Sequence, residues 1–254
     1  MHVFAKEIVI SELLMPAVEI AREAGRIIMG HYLSGDAVDR KSDASPVTEA
    51  DRAADRFIVE KLKAIAPAIL TVSEEGAKPA VADADYFWLI DPLDGTKSFI
   101  RGKGYFTVNI GLIRGADKTP VMGIIYDPVS EIMYYGSGKG AFRDHKGHIE
   151  QIYAQKQGAP IAIVSHSHLN EATEDYLRAH NISERIPCAS SIKFCWLAEN
   201  KATVYPRFGP TMEWDTAAGH AILIAAGGSM LTPEGKPFLY GKPNFLNGNF
   251  VAMV

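Results

Sequence analysis

Five acidic residues, Asp51, Glu74, Asp91, Asp94 and Asp215, stand where carboxylates are placed to gather a cation. Asp91 and Asp94 lie three apart behind an apolar, aromatic run, Tyr86-Phe87-Trp88-Leu89-Ile90. Such a run predicts a short buried strand. Pro92 has no N–H, which predicts that the ladder stops at Asp91-Pro92. Two carboxylates at the mouth of a buried strand repel one another unless a cation sits between them, and hard divalent ions such as Mg2+ take oxygen ligands of this kind. Asp94-Gly95-Thr96 then reads as a turn opening a helix, whose first amides, Gly95 and Thr96, are suited to a phosphate. Metal and phosphate side by side point to phosphoryl chemistry. Taken alone, D-x-x-D-G-T is equally an Asp turn that closes a strand.

The elements that must position these residues follow from periodicity. From Ser11 to about Leu33, Leu14, Val18, Ala21, Ala24, Ile27 and Ile28 recur at helical spacing. Thr48, with Asp51 three residues on, reads as the N-cap of a second helix reaching about Ile65. Asp51 in that first turn is also a simple partner for the helix dipole. A strand at Ile69–Val72 leads into Ser73-Glu74-Glu75-Gly76, by itself an ordinary solvated turn. Beyond Phe99, strands at Tyr105–Ile113, Val121–Tyr126, Ile132–Tyr135 and Ala141–Arg143 predict an antiparallel meander. A new pattern begins near residue 160: a strand at Ile161–Val164, the loop Ser165-His166-Ser167-His168, and a helix over about 170–180. Ser190-Ser191-Ile192-Lys193 opens another helix to Glu199, followed by a strand at Thr203–Tyr205. A last helix runs from Trp214 to about Ala226, stopped by Gly227-Gly228. We expect a single unit, 1–254, of two packed halves: an α+β half over 1–150 and an α/β half over 151–254.

A length of 254 residues suits one large domain or two small ones. With 47% hydrophobic and 22% charged residues the composition is that of an ordinary globular chain. The net charge of −4 leaves no basic footprint for a nucleic-acid polymer, while a small anionic substrate needs only a local patch or a metal. Cys188 and Cys195 match no zinc or redox spacing and predict a reduced, cytosolic setting. There is no apolar run of roughly 18 residues, so no transmembrane segment is expected. The first residues lack the order of a signal peptide. Leu13–Tyr32 is amphipathic, as expected of a helix packed on its own core. The same pattern leaves open a peripheral contact, on the cytoplasmic face of an inner membrane.

The blocks PVTEAD (46–51), SEE (73–75), DPLDGT (91–96) and WDTAAG (214–219) occur in the order seen in the inositol monophosphatase-like superfamily of lithium-sensitive, Mg2+-dependent phosphatases, which the chain resembles from about residue 15 to 250. FTVNIGLI (106–113), SSIKFCWLAE (190–199) and YPRFGPTMEWDTAAGHAIL (205–223) look most like its bacterial 3'(2'),5'-bisphosphate nucleotidases of the CysQ type. The resemblance implies the layered αβαβα sugar-phosphatase fold, with the active site where the two halves meet.

It also implies two to three Mg2+ ions held by Glu74, Asp91, Asp94 and Asp215 and by the Leu93 carbonyl, with Asp51 helping a further ion and orienting Thr96. Thr96, aided by Glu74, would position and deprotonate the attacking water, and Gly95 and Thr96 would hold the scissile phosphate. Ser165, His168 and Lys193 match nucleotide contacts, and Arg207 is suited to a second phosphate. Alone, Lys193 and Arg207 read as solvated charges, His166 and His168 as polar loop residues and His220 as structural.

The implied reaction is in-line attack of water on the 3'-phosphate of adenosine 3',5'-bisphosphate, releasing AMP and phosphate, with 3'-phosphoadenylyl sulfate as a related substrate. In that class the reaction clears a by-product of sulfate assimilation. The pattern departs at Ser98, where the CysQ type reads Glu, and Arg101-Gly102-Lys103-Gly104 looks more like the monophosphatase branch. Two alternatives therefore stand: a monophosphatase for inositol, histidinol or sugar phosphates, and a non-enzymatic Mg2+ and nucleotide-binding regulator. The oligomeric state is not legible.

Overall fold

The computed structural model describes residues 10–34, 38–40, 46–76, 78–102, 105–155, 158–165 and 169–254. Helices α1 (Ile10–Ser34) and α2 (Glu49–Ile65) are separated in sequence by a short antiparallel pair, β1 (Val38–Arg40) and β2 (Pro46–Thr48). A seven-stranded sheet then runs in sequence order: β3 (Leu70–Ser73), β4 (Tyr86–Asp94), β5 (Thr107–Arg114), β6 (Thr119–Asp127), β7 (Ile132–Ser137), β8 (Gly140–His145) and β9 (His148–Ile152). β3 and β4 are parallel, and from β4 onward every pairing is antiparallel, giving the expected meander. Helix α3 (Thr96–Ile100) follows β4.

The second half contains β10 (Ile161–Ser165), α4 (Glu171–Ala179), β11 (Glu184–Cys188), α5 (Ile192–Ala198), β12 (Val204–Arg207), α6 (Ala217–Ala226), β13 (Ser229–Leu231) and β14 (Phe250–Met253). Its five strands form a mixed sheet in the order β11-β10-β12-β14-β13. The sequence pattern misses β11, β13 and β14 here, as it does β1, β2 and β9 in the first half. β11 reads Glu-Arg-Ile-Pro-Cys, a mixed run with a proline, which is tolerated because β11 lies at the sheet edge.

Three apolar layers fill the space between these elements. Ala21 and Ile28 of α1 and Ile58 and Leu62 of α2 pack with Trp88, Ile90, Ile110 and Ile124 on one face of the large sheet. Phe87, Leu89 and Ile125, from the opposite face, pack with Phe194 of α5, Ile222 and Leu223 of α6, and Phe250 of the small sheet. Leu177 of α4 closes the outer side of the small sheet with Ala162, Val204 and Val251. The order is therefore αβαβα. β4 is buried on both faces, which is why its sequence reads as an unbroken apolar run without alternation. The apolar face of α1 is consumed in this core, and among the described residues no helix is long and apolar enough to cross a membrane.

Two local expectations are corrected. β4 does not stop at Asp91-Pro92 but continues to Asp94. Asp91 pairs with Asn109 and Asp94 with Thr107, so three steps on β4 oppose two on β5. That is a β-bulge, and Pro92 sits inside it, where no ladder N–H is required. The helix expected from Trp214 is divided: Glu213–Asp215 form a 3-10 turn, Thr216 (φ −121°, ψ −28°) breaks it, and α6 begins at Ala217.

α6 is seated by a row of glycines. Gly111, Gly123 and Gly136 face one another across β5, β6 and β7. A Cβ on Gly123 would fall 2.0 Å from the Ala218 carbonyl oxygen, and one on Gly111 2.8 Å from the Ala217 Cβ. The row lets the alanine-rich face of α6 lie directly on the sheet. This close docking carries Asp215, two residues before α6, toward the end of β4.

Candidate metal and phosphate site

Asp51 is held from both sides. The Thr48 amide and hydroxyl donate to Asp51 Oδ2 at 2.7 and 2.6 Å, closing a capping box at the start of α2. Its other oxygen, Oδ1, accepts from the Thr96 hydroxyl at 3.1 Å, and that hydroxyl also lies 3.2 Å from the Leu93 carbonyl. Asp51 thus performs the local capping job and, in addition, reaches the first residue of α3. Gly95, just before it, has φ +101°, and a Cβ there would stand 2.8 Å from the Tyr105 carbonyl oxygen, so only glycine fits the turn.

Glu74, Asp91 and Asp215 come from three separate elements, yet each offers an oxygen within 4.8 Å of the others. The Glu74 amide donates to the Ile90 carbonyl at 3.0 Å, fixing the end of β3 beside the end of β4. The Leu93 amide donates to Asp91 Oδ1 at 3.0 Å, and the Met212 amide to Asp215 Oδ2 at 2.8 Å. Burial, reinforced by Glu74, Asp94 and Asp215, pushes the Asp91 carboxyl well above its ordinary range. Burial, with the Asp94 charge beside it, pushes Asp215 up to about 8. Among the described residues, no ion pair joins a basic side chain to Asp91, Asp94 or Asp215 within 4.0 Å.

An arrangement of all-oxygen donors that disfavours its own ionisation is what a hard divalent cation satisfies. The residues present therefore fit a hard divalent ion such as Mg2+, and Glu74, Asp91 and Asp215 each offer it an oxygen.

Asp94 closes the site on the side of the second half. Its Oδ2 accepts from the Ser191 amide at the start of α5, with Asn109 Nδ2 at 3.5 Å. Burial raises its pKa and the Lys193 charge opposes the rise. Lys193 and Arg207, which the sequence reads as solvated charges, are 7% and 8% exposed. Lys193 Nζ donates to the Ser190 carbonyl and lies 5.3 Å from the Tyr205 ring. Arg207 donates through Nη2 to the Pro210 carbonyl at 2.9 Å, while its buried Nε has no partner.

One cleft of about 640 Å³ joins these groups, lined by Glu74, Asp91, Leu93, Asp94, Gly95, Thr96, Ser165, Lys193, Arg207 and Asp215. Of the residues expected from sequence, the structure brings these ten to one cleft, with Asp51 directly behind Thr96. His168 and His166 lie outside the described residues. His220 is buried within α6 and hydrogen-bonded to Tyr240, away from the cleft lining. Sequence reasoning did not single out Asn109 and Ser191, the partners of Asp94, although both lie in blocks that carry the resemblance. Nothing in those blocks says that a neutral amide and a serine meet a carboxylate 97 residues away from the serine.

Two packed sheets with an acidic, oxygen-only cluster, a helix start and two buried cations at their junction define a metal-dependent phosphatase architecture. Residues 10–252 match the Inositol monophosphatase family, and the chain belongs to it. The 3'(2'),5'-bisphosphate nucleotidase CysQ of Salmonella typhimurium is 41% identical over 244 residues, covering 94% of this chain and 98% of the relative. The crystal structure of CysQ from Bacteroides thetaiotaomicron superimposes with a TM-score of 0.84 at 38% identity, covering 98% and 99% of the two chains. Inositol monophosphatase from Anabaena (Nostoc) sp. PCC 7120 has a TM-score of 0.77 at 25% identity, covering 96% of this chain and 91% of its own.

Proposed function

We propose that this chain is a 3'(2'),5'-bisphosphate nucleotidase that removes the 3'-phosphate of adenosine 3',5'-bisphosphate, yielding AMP and phosphate, with two to three Mg2+ ions as cofactor. The single observation that carries the reading is that Arg207 and Lys193, both buried, share one cleft with the acidic cluster. A substrate with a second anionic group, beyond the phosphate being cleaved, suits such a cleft. Identity of 41% to a CysQ nucleotidase supports the same choice. 3'-Phosphoadenylyl sulfate is a second substrate of the same shape, and the reaction belongs to sulfur assimilation and nucleotide recycling. The two free, buried thiols, Cys188 and Cys195, support a reducing, cytoplasmic setting.

In this reading Glu74, Asp91, Asp94, Asp215 and the Leu93 carbonyl hold the ions. When bound, the ions supply Lewis-acid stabilisation of the attacking and leaving oxygens. The chain does the rest. The Gly95 and Thr96 amides at the start of α3 orient the scissile phosphate. The Thr96 hydroxyl directs its own proton to Asp51, which leaves its lone pairs for the attacking water. Thr96 and Asp51 thereby form a route for the water proton, with Glu74 as a second acceptor. The water oxygen bonds to phosphorus as the ribose oxygen leaves and takes up a proton. Arg207 receives the second phosphate through its free Nε, and Ser165, His168 and Lys193 take the nucleoside side.

Ser98 favours the second reading, a monophosphatase for inositol, histidinol or sugar phosphates, because it departs from the CysQ pattern and lines the cleft. Phosphate release from adenosine 3',5'-bisphosphate and from inositol 1-phosphate at fixed Mg2+ separates the two. A kcat/KM ratio of roughly a hundredfold for the bisphosphate, about 2.7 kcal/mol in the transition state, is expected. A preference for inositol 1-phosphate would overturn the substrate while keeping the metal site.

A further inference from the structure

Asp94 ends β4 in the first half of the chain, but the groups that hold its carboxylate come from β5 and from the start of α5 in the second half. Its Oδ2 accepts from the Ser191 amide and faces Asn109 Nδ2 at 3.5 Å. The Ser191 hydroxyl lies 2.7 Å from Asn109 Oδ1, an oxygen that can only accept, so serine donates there. Thr107 Oγ1 is 2.8 Å from the same Ser191 oxygen, whose proton is already committed, so threonine is the donor. The direction of every bond in the chain Thr107 to Ser191 to Asn109 to Asp94 is therefore fixed.

Thr107, Asn109 and Ser191 are 1%, 0% and 2% exposed, so water does not substitute for any of these bonds. The Asn109 amide suits both neighbours in this orientation, its oxygen accepting from Ser191 and its NH2 facing the Asp94 carboxylate. Both donors address one carboxylate oxygen, Oδ2, and leave Oδ1 for a ligand.

We propose that Asn109 and Ser191 are positioning residues that set the rotation of the Asp94 carboxylate and so tie assembly of the metal centre to the seating of Ser191, just before α5, against β5. The buried, directional relay costs the fold little, since each polar atom is paired. It matters because a carboxylate presenting one lone oxygen in a fixed place binds a cation better than one free to rotate. This rests on the reading of Asp94 as a metal ligand.

The test is Mg2+ binding by calorimetry to the substrate-free protein, for wild type, Ser191→Ala, Asn109→Ala and Asp94→Asn, alongside the Mg2+ dependence of kcat. Ser191→Ala removes one oxygen and keeps the backbone donor, so it is the variant least able to unfold the chain. Ser191→Ala and Asn109→Ala are expected to weaken Mg2+ binding roughly 10- to 100-fold, with kcat largely recovering at saturating Mg2+. A merely structural role would lower Tm and leave the metal affinity alone. Wild-type Mg2+ affinity in folded Ser191→Ala would overturn the positioning role, even with Asp94→Asn weakened. Undiminished affinity in Asp94→Asn would overturn the ligand reading on which it rests.

Discussion

The Thr96 hydroxyl reaches Asp51 Oδ1 at 3.1 Å across 45 residues of chain, while the opposite oxygen of Asp51 is locked by Thr48. The capping box therefore sets the acceptor for a residue in the cleft. Thr96→Val keeps the shape and removes the hydroxyl; Asp51→Asn keeps the shape and weakens the acceptor. Each is expected to lower kcat about 10²- to 10³-fold at saturating Mg2+, within the range for a positioned acid–base group. Thr96→Ser, which restores the oxygen, should stay within about tenfold of wild type. Steady-state phosphate release decides it, and a Thr96→Val enzyme of normal kcat would remove this pair from the mechanism.

Asp91 is buried among like charges, which makes it costly to the metal-free fold. Asp91→Asn should raise Tm in excess chelator while lowering kcat/KM at least a thousandfold. It should also abolish the rise in Tm that Mg2+ gives the wild type, because a ligand that binds only the folded state stabilises it. Opposite signs for stability and activity at one residue distinguish a ligand from a packing position. Scanning calorimetry with and without Mg2+, paired with an activity assay, reads both. A variant that is less stable in chelator would show that Asp91 holds the fold together by its charge.

The pH dependence of the metal-free protein follows from the same burial. Asp215 has its pKa raised from 3.8 to about 8 in the fold. The fold thus favours the neutral acid: the stability it contributes is whole below about pH 4 and is lost as pH rises through about 8. Asp91 and Asp94 shift in the same direction. In chelator, Tm should fall from pH 5 toward pH 9, opposite to a fold held by exposed carboxylate ion pairs. Since a cation must displace those protons, Mg2+ binding should tighten over the same interval and release protons. Calorimetric titration in buffers of different ionisation enthalpy measures the release. A metal affinity flat from pH 6 to 9 would mean that the carboxylates are already ionised without metal.

The sequence made the acidic cluster legible because each carboxylate stands in a short local pattern with its own chemistry. Asp91 and Asp94 share a strand end, Glu74 directly follows another, and Asp51 sits three residues after a helix cap. What spacing could not give was their meeting, which depends on the bulge at Pro92 and on the glycine row that seats α6. Pro92 does not end the strand because loss of an N–H stops a ladder only where an N–H is needed, and the bulge removes that need. The burial of Lys193 and Arg207 was also invisible, since the two charges lie on α5 and β12, whose docking is a tertiary matter. β13 and β14 escaped for a related reason: they are short runs of 3 and 4 residues whose pairing beside β12, in the order β12-β14-β13, is also a tertiary matter.

Arg207 provides the sharpest separation between the two substrate readings. It lies on β12 opposite Phe250, is 8% exposed, and spends one nitrogen on the Pro210 carbonyl while its Nε has no partner. A buried donor left unpaired costs the fold about 1–3 kcal/mol, which a phosphate oxygen would recover on binding. Arg207→Lys keeps the charge but loses the planar fork, and Arg207→Met removes the charge at similar length. Arg207→Met should raise KM for adenosine 3',5'-bisphosphate roughly 30- to 100-fold, and Arg207→Lys roughly tenfold, both with smaller changes in kcat. Turnover of a monophosphate, which has no second anionic group for Arg207 to meet, should fall far less. Equal losses on both substrates would instead assign Arg207 to the acidic cluster, where its charge already acts on Asp215. A KM for the bisphosphate that ignores Arg207 would direct the search for the second-phosphate contact to Lys193, the other buried cation of the cleft.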